Sequence, residues 1–159
     1  METNEEPGPG ALPTDAVLVR AIAMDDLSAV LRIDRAATGR TREEYYRVKL
    51  ERTLSEPKLS VSLVAELDDH VVGFVFAGVY YGEFGRPEPI AVLDAIGVDP
   101  GYRNRSVGSA LLRQLEMNLR ALCVERIETQ VEWTDRALLA FLAERGFAPA
   151  PRLCLALRL

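Results

Sequence analysis

Between Asp94 and Ser109 the sequence gathers the side chains best suited to do chemistry. A carboxylate, Asp94, stands in an apolar run, two guanidiniums follow at Arg103 and Arg105, and then come Ser106, Val107, Gly108, Ser109 and Ala110. A helix that opens on residues this small leaves its unpaired backbone N–H groups, and the positive end of its dipole, open to close approach by an anion. That is the form of a phosphate cradle. Asp94 is a candidate general base, because the apolar neighbours Leu93, Ala95 and Ile96 disfavour a charged carboxylate and so favour uptake of a proton. A structural Asp bonded to loop amides is the competing reading. Glu83 and Glu88 are alternative bases or, with Tyr80 and Tyr81, contacts for a bound substrate.

Other reactive residues carry less. His70 is the single histidine and falls between two β-rich runs, so it is read as an exposed turn residue. Cys123 and Cys154 have neither paired spacing nor a histidine cluster, so neither a metal site nor a disulfide framework is suggested; they are read as reduced core thiols, with acyl-carrying catalysis by one of them as the lesser reading.

The elements that must position these groups follow from periodicity. Val92, Leu93, Ile96 and Val98 form a strand, Pro100 and Gly101 break it, and Val107, Leu111, Leu115 and Leu119 make the apolar stripe of a helix. Alternation puts Val92, Asp94 and Ile96 on one face of that strand, while Gly97 inside it signals a bulge or a close backbone approach. Upstream, Val17 to Ile22 reads as a strand, Asp25 and Asp26 open a helix closed by Gly39, and Thr41 with Glu44 forms a capping box for a second helix stopped by Pro57. Leu59 to Glu66 and Val71 to Val79 read as a hairpin, with a long loop from Tyr80 to Pro89 where a binding site or a solvated bend could lie. Arg126 to Val131 is a strand, a last helix starts near Thr134 or Asp135 and ends at Gly146, and a final strand begins about Arg152.

The 159 residues, 48% of them apolar, suffice for one core. We therefore expect one domain over 16–159, preceded by an acidic, Pro- and Gly-rich disordered tail at 1–15. A net charge of −5 argues against nucleic acid or an anionic membrane as main partner. The acidic start is unlike a signal peptide and no apolar run approaches the ~20 residues that span a bilayer, so a cytoplasmic protein is expected. Lys49 and Lys58 are the two lysines among 19 basic residues.

Arg103-Asn104-Arg105-Ser106-Val107-Gly108 resembles the Gln/Arg-x-x-Gly-x-Gly/Ala signature of the GNAT superfamily of acyl-CoA-dependent N-acyltransferases. Val98-Asp99-Pro100-Gly101-Tyr102-Arg103 and the ending Glu144-Arg145-Gly146-Phe147 are similar to that family too. The resemblance implies an α/β fold with a mixed, mostly antiparallel sheet, helices on both faces and a splayed central strand pair. It implies acetyl-CoA as co-substrate, its pyrophosphate on the amides of Arg103, Asn104, Arg105, Ser106, Val107, Gly108 and Ser109. The pantetheine arm would lie along Ile96, Gly97 and Val98, with Asp135 and Phe141 as further coenzyme contacts and no metal. An amine is the implied acceptor, with transfer direct from donor to acceptor. Apart from the resemblance, the edge left by the short C-terminal strand is one that a twin subunit could cover in a homodimer. Two positions depart from the pattern. Ser106 replaces the first glycine, which strains the backbone if the site needs a positive φ, and Leu142 replaces the tyrosine that commonly protonates the thiolate. An acyl-CoA-binding sensor or an assembly module, with little or no turnover, is the alternative these departures leave.

Overall fold

A computed structural model describes residues 16–58 and 60–159, so the expected tail at 1–15 lies outside the described residues. Five strands, β1 (Leu18–Ala21), β2 (Leu63–Leu67), β3 (His70–Tyr80), β4 (Ile90–Val98) and β5 (Ile127–Thr129), form one sheet in that spatial order. The first three pairings are antiparallel and β4 with β5 is parallel. This is the mixed, mostly antiparallel sheet that was expected. The β2–β3 turn is the two residues Asp68 and Asp69, both at positive φ, as a tight hairpin requires. His70 is exposed and begins β3 instead of sitting in the turn.

Helices α1 (Leu27–Thr38) and α2 (Glu43–Ser55) cover one face, where Val30, Ile33, Tyr46 and Leu50 pack with Val64, Phe74 and Phe76. Helix α3 (Val107–Ala121) covers the other. A Cβ on Gly73 would lie 2.7 Å from Val107 and 3.1 Å from Leu111, so this glycine lets the first turn of α3 sit directly on β3. Gly39 closes α1 in the left-handed conformation, as its position suggested.

The capping box expected at Thr41 does not form. Helix α2 starts one residue later with Arg42 as its cap residue, and that guanidinium is drawn instead to Asp34 of α1. Arg42 and the Tyr46 hydroxyl both donate to the Asp34 carboxylate, which is 4% exposed, so a buried charge is paired and fully bonded while it joins the two helices. A second such group, Asp26, accepts from both Arg20 terminal nitrogens at 2.8 Å and from the Ala23 amide. Burial pushes its carboxyl up, but Arg20 and that amide outweigh burial and hold it below the ordinary range.

Compact packing divides the chain at Thr129, and Gln130–Leu159 forms a unit of its own. There α4 (Arg136–Glu144) is capped by Asp135, whose carboxylate accepts from the Leu138 amide at 3.0 Å. The strand expected from Arg152 is not formed among the described residues. Its alternating leucines, Leu153, Leu155, Leu157 and Leu159, are each at least 85% exposed, because apolar alternation specifies a strand only where a partner edge supplies hydrogen bonds. The cysteines also differ from expectation: both are exposed. Cys123 holds the left-handed position just past α3, with its amide donating to Arg120, a helix-ending role that places it at the surface. No helix among the described residues is long and apolar enough to cross a membrane.

Candidate active site

The cradle is built from consecutive residues. Asp99 anchors it: its amide donates to Val72 of β3 at 2.8 Å, its carboxylate accepts from the Gly101 amide at 2.9 Å, and Arg32 of α1 donates to the same carboxylate at 2.5 Å. Arg32 also donates to the Val71 carbonyl, tying α1 to the end of the sheet. A tight turn over Pro100–Tyr102 follows, and then the chain bends twice through positive φ, at Asn104 (63°) and Ser106 (60°), before α3 begins. Asparagine accepts that conformation readily. Serine does not, so the strain foreseen for position 106 is present.

These bends turn a run of amides outward. Among the described residues, none of the backbone N–H groups from Arg103 to Ser109 donates to a protein acceptor, and the residues from Arg103 to Ser106 are exposed. Arg103 and Arg105 have no carboxylate partner among the described residues; the Arg105 guanidinium rests over the Tyr102 ring at 5.7 Å. Unpaired amides at the positive end of a fifteen-residue helix, flanked by two guanidiniums that no described carboxylate neutralises, suit a pyrophosphate.

The strand that leads into the cradle is open on one side. β5 pairs with β4 at Ala91, Val92 and Leu93 and ends there, with the Thr129 hydroxyl donating to the Leu93 carbonyl at 2.8 Å. From Asp94 to Val98 the β5-facing edge of β4 has no strand partner among the described residues. The splay is therefore present, and Ile96, Gly97 and Val98 lie along it. A Cβ on Gly97 would lie 2.7 Å from the Phe74 ring, so the glycine marks a close approach. The bulge itself is three residues earlier.

On the β3 side Phe76 faces Ala95 while Ala77 faces Leu93, which leaves Asp94 as the extra residue. Directly opposed residues share a face. Ala95 therefore joins Phe76 on the side of α1 and α2, and Ile96 joins Val75 on the side of α3. Simple alternation put Val92, Asp94 and Ile96 together; the bulge moves Ile96 to the opposite face. Asp94 points toward α2, where Lys49 Nζ lies 2.6 Å from its Oδ2, the two side chains 24% and 23% exposed. Sequence reasoning missed Lys49 altogether. The one signal that could have found it is its place three residues after Tyr46 and next to Leu50, on the buried stripe of α2.

Residues 27–147 match the acetyltransferase (GNAT) family, three quarters of the chain. The chain belongs to that family. Its members move an acetyl group from acetyl-CoA to an amine, so acetyl-CoA is the co-substrate and the transfer to nitrogen is the reaction. The fold agrees with solved structures at low identity. An aminoglycoside N-acetyltransferase solved in complex with CoA superimposes at a TM-score of 0.75 with 16% identity, covering 90% of this chain and 95% of that one. A ribosomal-protein alanine N-acetyltransferase from Escherichia coli gives 0.70 at 20%, covering 85% and 79%. A transcriptional regulator from Bacillus halodurans C-125 gives 0.73 at 19%, covering 91% and 100%.

The remaining candidates are placed as follows. Tyr80, Tyr81, Glu83 and Glu88 are all exposed: Tyr80 ends β3 opposite Ile90, not in the loop as expected, and the other three lie on the connection between β3 and β4. That connection is at the opposite end of β4 from the cradle. Asp94 is midway, four residues from Ile90 and four from Val98, or about 13 Å from each at the usual rise per residue. Asp135 caps α4, Phe141 lies under the Arg145 guanidinium at 5.7 Å, and Leu142 is buried. Among the described residues no group of His, Cys, Asp and Glu is arranged to hold a metal ion.

Proposed function

We propose that this acetyltransferase acetylates a primary amine at Asp94, with the donor held along β4 and in the cradle. The observation that carries this reading is a continuous path: free amides at Arg103–Ser109 open onto the unpaired edge at Ile96, Gly97 and Val98, and that edge begins at Asp94. When bound, the coenzyme supplies the acetyl group as a thioester. The chain supplies the rest. Cradle amides and Arg103 and Arg105 bind the diphosphate; the open strand edge pairs with the two amides of the pantetheine arm and offers N–H groups that polarise a carbonyl. The Asp94 carboxylate takes a proton from the incoming ammonium. Leu142 has no proton to give and Tyr80 and Tyr81 lie at the far end of the strand, which leaves Tyr102, in the turn before the cradle, or solvent to protonate the departing thiolate.

The acceptor class is a cationic amine that reaches Asp94 past the exposed Tyr80, Tyr81, Glu83 and Glu88, whose two carboxylates favour positive charge. The reading keeps Asp135 as the cap of α4 and Phe141 beneath the Arg145 guanidinium, within the unit that holds them. It takes 16–159 as one domain, since the family match runs through both packed units. It also takes the protein as cytoplasmic, where its co-substrate is at hand, and as a homodimer, because a row of exposed leucines at 153–159 is the kind of apolar surface that marks an interface. Sedimentation of the full chain tests the last point, a monomer at all concentrations ruling it out. The central test is release of free thiol from acetyl-CoA with a panel of amines: the enzyme consumes thioester only when an amine is present. A CoA-induced rise in Tm without thiol release from any amine would replace it with a binding-only module.

A further inference from the structure

We propose that Lys49 is itself an acceptor, so that the enzyme acetylates its own α2. This rests on the reading of Asp94 and the β4 edge given above. An acceptor amine must reach the carboxylate that takes its proton, and one amine is already there: Lys49 Nζ lies 2.6 Å from Asp94 Oδ2. It is held there by structure. Tyr46 and Leu50, on either side of it along the helix, are buried under the sheet-facing core, and the Arg42–Asp34–Tyr46 bonds fix the start of α2 against α1. Lys49 is also not sealed off, since about a quarter of its side chain meets solvent. A held nitrogen beside a base, at the point where the donor's strand edge begins, has the proximity and orientation that make an intramolecular reaction fast.

The step balances without further reagents. Asp94 takes one proton from the ammonium and the freed lone pair forms an N–C bond to the thioester carbonyl carbon. The C–S bond breaks and sulfur leaves with its electron pair. The nitrogen sheds a second proton, which the thiolate takes up, while the first passes from Asp94 to solvent. The products are an acetamide at Lys49 and free CoA. Because the amide carries no charge, the ion pair with Asp94 ends with the modification.

The sequence provides an internal control, because the second lysine, Lys58, is exposed beyond the end of α2. The experiment incubates the full chain with acetyl-CoA, without added amine, and follows the mass of each lysine-bearing peptide with time, alongside the Tm shift produced by CoA. We expect Lys49 to gain one acetyl group roughly a hundredfold faster than Lys58. Lys49→Arg should abolish that modification and Asp94→Asn should slow it, both keeping the CoA-induced Tm shift. Equal rates at the two lysines, with Lys58 the better exposed, would mean uncatalysed chemistry and overturn the proposal, as would a Lys49 that stays unmodified while CoA still raises Tm. A protein that CoA does not stabilise at all would overturn the cradle assignment and this inference with it.

Discussion

The cradle begins five residues after Asp94, just past the end of β4, yet it and the Asp94–Lys49 pair are built in opposite ways. The cradle is local: Asp99 to Ser109 carry its anchor, its turn, its two left-handed bends and its free amides within one short segment. The pair is assembled at a distance, from a helix at residues 43–55 and from one extra residue in the register between β3 and β4. In the reading proposed above, the donor is bound by backbone and the acceptor end is set by side chains brought together by packing. The first can tolerate changes of side chain that the second cannot.

Substitutions should widen that contrast, the largest effect first. Asp94→Asn should lower kcat/KM for an amine by about 10² to 10⁴, the usual worth of a positioned base, while the CoA-induced Tm shift persists. An unchanged rate would remove Asp94 from the chemistry. Gly97→Ala puts a methyl group 2.7 Å from the Phe74 ring, in a core that cannot yield cheaply. We expect a loss of about 1–3 kcal/mol in denaturant unfolding and weaker binding of CoA, since the strand edge must shift.

Tyr46→Phe removes the hydroxyl that donates to Asp34 and should cost about 1 kcal/mol at neutral pH. It carries a pH signature as well. Burial and the neighbouring Asp34 carboxylate push the Tyr46 hydroxyl well above its ordinary value, so its contribution is complete below about pH 10 and is lost as pH rises further, when the unfolded chain ionises first. Unfolding of Tyr46→Phe should therefore show a shallower alkaline decline than the parent. Asp26 gives the mirror case: its lowered carboxyl stabilises the fold above about pH 4 and stops doing so as pH falls, and Asp26→Asn should flatten that acid limb. The smallest effect belongs to Ser106→Gly. Relief of the left-handed strain, partly offset by the freedom glycine gains in the unfolded chain, should raise stability by about 0.5–1 kcal/mol and leave or improve CoA affinity measured by calorimetry. A fall in affinity would assign the serine hydroxyl to the phosphates.

What the sequence made legible follows the same division. The cradle and the strain at Ser106 could be read because their causes are adjacent residues, whereas the splay came from the family resemblance alone, its cause being the end of β5 at Thr129. The partner of Asp94 could not be read, since nothing in the run from Leu93 to Ile96 announces a bulge or names a lysine far upstream. Thr41 looked like a cap by local rule, but Asp34 of α1 claims the Arg42 side chain and the helix starts a residue later. The leucines from 153 onward alternate as a strand does, and alternation alone supplies no neighbour to bond with.

The open side of β4 has one more consequence. From Asp94 to Val98 it offers unanswered peptide groups to any extended chain, and a strand from another molecule satisfies them as well as a pantetheine arm does. On the proposed placement of the coenzyme along this edge, it doubles as a guard against clumping: protein stored or heated without it should scatter light sooner than protein saturated with it, and by more than the gain in melting temperature alone accounts for.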